Sequence, residues 1–118
     1  MALNIAIRRH RVAINDLLFA LRKGDVSEGI RGELEESRRL YVERHAEAQM
    51  TVPWHVLKAA GAVRRHLGTL FSMARRLESG DTRDGDSFDA AFAYGERFWS
   101  RIEYLRSAMR FDLGIAEG

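Results

Sequence analysis

The stretch that decides the fold is Pro53–Gly80, PWHVLKAAGAVRRHLGTLFSMARRLESG. Its apolar residues Val56, Ala60, Val63, Leu67, Leu70, Ala74 and Leu77 recur every three or four positions, the spacing of a helix with one buried face. Pro53 suits a first helical turn, where a missing N–H goes unnoticed. Gly80 suits the left-handed position that ends a helix. The stretch therefore predicts one long helix over 53–79.

Working outward, the same spacing recurs on both sides. Upstream, residues 2–23 carry Leu3, Ile7, His10, Ile14, Leu17, Leu18 and Leu21 on one stripe and stop at Gly24. Asp25, with Glu28 three residues on, looks like a capping box for a second helix over 26–49. Its stripe is weaker: Ile30, Leu34, Ser37, Tyr41 and Ala48. Downstream of the polar loop 80–86, Asp86 or Ser87 can cap a fourth helix over 87–112. Phe88, Phe92, Phe98, Trp99, Ile102, Leu105 and Met109 form its face, and the tail after Leu113 is expected to fray. No segment alternates with period two. At 1.5 Å per residue the helices are roughly 33–40 Å long. Matched lengths and short connections predict an all-α, antiparallel four-helix bundle filling a single domain over 1–118.

Composition narrows the function. The chain has 118 residues, 46% of them apolar, one proline and no cysteine. Disulfide scaffolds, thiolate nucleophiles and cysteine–zinc sites are excluded. No apolar run reaches the ~18 residues of a membrane span, and the apolar start before Arg8 is too short for a signal peptide. The expectation is a soluble, unprocessed, cytoplasmic protein with no cofactor and no membrane partner.

Charge is unevenly placed. Arginine outnumbers lysine 17 to 2, a skew that either codon usage or contact with phosphates and carboxylates would produce. Residues 1–24 and 51–80 each carry net +4, whereas 25–50 and 81–118 each carry net −3. In an up-down-up-down bundle each basic helix then neighbours two acidic ones, which helps to set the topology.

Three surfaces stand out. Opposite its core stripe, the third helix presents Lys58, Gly61, Arg65, Gly68, Ser72 and Arg76, flanked by Arg64 and Arg75. Small residues between forked guanidinium groups would let a nucleic-acid backbone come close. Apart from Trp54, no aromatic interleaves with this face, so contact is expected with backbone and not with bases. The first helix has a second apolar line, Ile5, Val12 and Phe19, which either an irregular fold or a partner must cover. Tyr104 and Phe111 likewise lie off the stripe of the fourth helix, whereas Arg106 falls inside it. His10 is placed to approach Tyr41, His66 and Arg106 as a buried polar cluster.

Catalytic and metal patterns fail on their spacing. No Glu-x-x-His pair exists, so no metal site is expected. Arg39 and His45 have the Arg-x5-His spacing of HEPN ribonucleases, but Leu40 stands where a polar residue belongs. The loop Asp81, Asp84, Asp86 and Asp89 lacks EF-hand order. Glu35 and Glu36 are followed by Arg39, which breaks the Glu-Glu-x-x-Glu of MazG-like pyrophosphohydrolases. A non-enzymatic protein is expected.

In size, helical content and arginine richness the whole chain resembles the small helical subunits of CRISPR effector complexes. That resemblance implies a ribonucleoprotein subunit that lines a filament and holds RNA or single-stranded DNA without cutting it, its partners being other protein subunits. The alternative is a protein–protein module: a homodimer, an adaptor or a phage-encoded inhibitor working through Ile5, Val12, Phe19, Tyr104 and Phe111.

Overall fold

The structure, a computed structural model, describes residues 2–113. It is an all-α bundle built from α1 (Ala2–Lys23), α2 (Glu28–Thr51), α3 (Trp54–Ser79), α4 (Phe88–Glu96) and α5 (Phe98–Leu113). Cross-helix pairs give the directions. Arg31 reaches Glu78 and Arg75 reaches Glu35, so α2 and α3 are antiparallel. His66 meets Phe98 while His55 meets Phe111, so α3 and α5 are too. The molecule measures 47 × 26 × 22 Å. No described helix is long and apolar enough to cross a membrane.

The helix ends follow local chemistry, with one substitution of roles. Gly80 ends α3 at φ 77°, and Pro53 stands immediately before its first residue. Ser87 caps α4 by accepting from the Ala90 N–H. At α2 the cap is Ser27, whose hydroxyl accepts from the Ile30 N–H, and not Asp25. The helix consequently occupies 28–51 instead of 26–49. Gly24 adopts φ 73° to end α1, and the Asp25 N–H is taken by the Ala20 carbonyl, so Asp25 still belongs to the exit turn of the first helix.

The expected fourth helix is interrupted once. Arg97 departs from helix with ψ −9°, and its N–H returns to the Tyr94 carbonyl, an i→i−3 step. Gly95, two residues before it, is buried where a side chain would touch Leu70 and Asn15. The tight step turns Phe98 inward and leaves Trp99 half exposed, although periodicity placed both in the core.

The core is continuous. Ile7, Ile14, Leu17 and Leu18 of α1, Leu34 of α2, Val63, Leu67 and Leu70 of α3, and Phe98 and Leu105 of α5 are almost wholly removed from water. Basic α1 packs chiefly on acidic α2, as charge alternation predicts, but α3 packs chiefly on α5, which carries more arginine than acid, so the expected two acidic neighbours per basic helix are not found. The two basic helices also approach one another closely across the middle. Both helices carry buried alanines among their core residues, Ala6 and Ala13 on one and Ala59 and Ala60 on the other. The cross-section is therefore flattened, with α1 and α3 on its short diagonal. Backbones of α1 and α5 do not come close anywhere along the described residues, and that seam stays open as a groove.

Candidate nucleic-acid interface

Arg8, Arg9, His10 and Arg11 are consecutive, and a helix turns about 100° per residue, so they leave α1 in four directions. Arg9 grips Glu33 of α2 with two hydrogen bonds of 2.8 Å. His10 enters the core, where its Nδ1 lies 3.1 Å from the Ser37 hydroxyl. Since that hydroxyl donates its single proton to the Leu34 carbonyl, His10 donates to it through a protonated Nδ1. Burial, with the Arg38 charge nearby, pushes the His10 pKa down to about 4, so the ring is neutral at pH 7. It stacks on Tyr41 and tilts against Phe71. The expected meeting of His10 with His66 and Arg106 does not occur. His66 instead stacks on Tyr94 at 4.4 Å, and Arg106 lies on the far side of α1. Burial also lowers the pKa of His45 and His66.

Arg8 and Arg11 face the open α1/α5 seam. The groove there has a volume of about 320 Å³, and Arg8, Arg11, Val12, Phe98, Trp99, Ile102 and Arg106 line it. The Arg11 guanidinium sits 4.8 Å from the Trp99 ring centre and 4.9 Å from that of Phe98. Its Nε is buried without an acceptor. Arg106 reaches the rim and bonds Glu103 at 2.9 Å. Among the described residues, Arg8 and Arg11 form no ion pair; nor do Arg97 and Arg101, at the start of α5. Besides burial, the charges of Arg101, Arg97 and Arg11 each contribute to lowering the His66 pKa.

The arginines of α3 divide into two sets. Lys58, Arg64, Arg65 and Ser72 are exposed, and among the described residues the three cations form no ion pair. Arg65 folds back over Gly61, within 3.5 Å of where a side chain would begin, and the surface beside Gly68 is open. Arg75 is partly engaged, 3.6 Å from Glu35 and 3.4 Å from Glu78. Arg76 is committed: it clamps Asp86 with bonds of 2.6 and 3.0 Å. Asp86 also accepts from the Arg83 N–H and is held down to about pKa 2, chiefly by the Arg76 hydrogen bonds. That clamp pins the α3–α4 loop and removes Arg76 from the surface available to phosphate.

The expected partner residues are all at the surface. Ile5, Val12, Phe19, Tyr104 and Phe111 are between 44% and 70% exposed, so the second line of α1 is the outer one. They do not form one patch. Phe19 packs on Phe92 of α4, Val12 falls into the α1/α5 groove, and Phe111 meets His55 edge-on.

Arg8, Arg11, Arg97, Arg101 and Trp99 escaped the sequence reading. The net −3 of residues 81–118 hid a basic stretch, because the acids cluster before Arg97 and the arginines after it. Counted from Arg97 onward, four arginines stand against three acids. Among the described residues, no three His, Asp or Glu side chains converge where they could hold a metal ion. No protein-family model matches the chain, and no curated protein or solved structure matches it either.

Proposed function

We propose that this protein is a non-enzymatic helical subunit of a ribonucleoprotein assembly that holds nucleic acid by its phosphate backbone, without sequence specificity, in the manner of the small subunits of CRISPR effector complexes. The observation that carries the reading is a group of cations that have no carboxylate partner among the described residues: Lys58, Arg64 and Arg65 on α3, and Arg8, Arg11, Arg97 and Arg101 around α5. Three other arginines of the same molecule are neutralised bidentately: Arg9 by Glu33, Arg39 by Glu36 and Arg76 by Asp86. Forked, weakly hydrated guanidinium groups with no internal partner are the groups that grip phosphate.

The test is fluorescence anisotropy against labelled RNA, single-stranded DNA and duplex across a salt series. Affinity should fall steeply with salt, and its log–log slope counts the phosphates engaged. The double substitution Arg64→Glu/Arg65→Glu should abolish most of it at unchanged helicity. Absence of binding at low salt would sink the reading.

The second reading, a protein–protein module, is favoured by the exposed Ile5, Val12 and Phe19. Under it Phe19→Asp disrupts association, and the arginine substitutions do not.

A further inference from the structure

We propose that the α1/α5 groove is a stacking site for a base of single-stranded nucleic acid, with Trp99 offering the ring and Arg8 and Arg11 holding the flanking phosphates. The inference rests on the backbone-binding reading and adds the strand state that the protein selects.

Four observations converge on it. First, the groove joins an apolar, aromatic floor to a cationic rim: Val12, Phe98, Trp99 and Ile102 below, three arginines around. Single-strand sites combine these two elements, a positive track for the backbone and an aromatic face for the base. Second, Trp99 keeps half of its surface open, although its neighbour Phe98 is fully packed. Third, Arg11 already lies against both rings, with a buried Nε that lacks an acceptor. A phosphate or base oxygen entering the groove would supply that acceptor, and a planar guanidinium extends a stack better than an ammonium. Fourth, about 320 Å³ falls within the range of sites that take one small planar ligand.

Duplex does not fit this arrangement. Its bases are stacked on each other and present edges only, so it can touch the rim arginines but cannot reach the Trp99 ring. An acidic protein segment could satisfy the arginines as well, but it would gain little from a stacked guanidinium–indole pair.

Trp99 reports on its own site. The chain has two tryptophans, and the other, Trp54, is largely exposed and remote in sequence from the groove, so Trp54→Phe leaves one reporter. In that background, a ten-nucleotide oligothymidine should quench Trp99 emission saturably, and a duplex of equal length at the same salt should not. Trp99→Leu should lower single-strand affinity about 5- to 150-fold, the range of one lost base stack, and leave duplex affinity unchanged. Trp99→Phe should restore most of the loss. Arg8→Ala should lower the salt slope by about one for single strands. If Trp99→Leu leaves single-strand affinity unchanged while Arg64→Glu/Arg65→Glu removes it, the groove assignment is wrong and backbone binding stands. If polyglutamate quenches Trp99 and the oligonucleotide does not, the groove belongs to a protein partner. If no nucleic acid binds at low salt, both readings fall together.

Discussion

On its α2 flank, α1 is closed and neutralised: Arg9 is matched to Glu33, and His10 is seated on Ser37 in the core. On its α5 flank the same helix is open: Arg8 and Arg11 have no carboxylate partner among the described residues, and Trp99 beside them is half exposed. Residues adjacent in sequence serve both flanks. A cation that closes a fold has its counter-charge built in, whereas one kept for a ligand has its counter-charge left out. Telling the two apart requires knowing what stands opposite.

The contrast can be broken most severely at the closed flank. Leu34→Ala empties a fully buried position of α2 and should lower unfolding free energy by about 2–5 kcal/mol, whereas Val12→Ala on the open flank should change it by about 0.5 kcal/mol or less. Urea denaturation of both variants decides this.

Acid should act on the same flank. The pKa of His10 is about 4 in the folded protein against an ordinary 6.5, so the unfolded chain takes the proton first. Stability is then full above about pH 6.5 and declines as pH falls towards 4, by about 3 kcal/mol from this group. His45 and His66 act in the same direction. Denaturation midpoints measured between pH 7 and 4 should show the decline, and His10→Gln should flatten it. A profile equally steep without His10 would mean that the closed flank is not the acid-sensitive one.

Ser37→Ala leaves the His10 Nδ1–H without an acceptor in the core and should remove about 1–3 kcal/mol. The smallest effect belongs to the open flank. Arg11→Met keeps the packed stem and removes a buried Nε that has no acceptor, so the melting temperature should stay level or rise. A marked fall would mean that Arg11 is structural, and the comparison between flanks would lose its point.

The helices, their order and the buried stripes were legible because 3.6-residue periodicity and Gly, Pro and Ser punctuation are local signals. The displaced cap at Ser27 and the break at Arg97 were not. Asp25 and Ser27 are both good caps by composition, and only the path out of α1, which takes the Asp25 N–H, decides between them. The break at Arg97 lies beside Gly95, which packs near Leu70 and Asn15, and those neighbours come from distant parts of the chain. The site was half legible. Lys58, Arg64, Arg65 and Ser72 are exposed as the α3 face requires, but Arg76 is spent on Asp86, a contact across a loop. The groove was invisible, because Arg11 and Trp99 come from opposite ends of the chain.

That distance along the chain also bears on how the molecule folds. The closed flank joins residues 24 to 27 positions apart, whereas the open one is spanned by Asn4 and Met109, 105 positions apart. Loop closure favours the local hairpin, so α1 and α2 should dock early in folding and α5 should settle against α1 late. Substitutions at Leu34 should then slow folding, while those at Ile102 should mainly speed unfolding. The seam proposed to receive a ligand would be the one the chain closes last and, under stress, releases first.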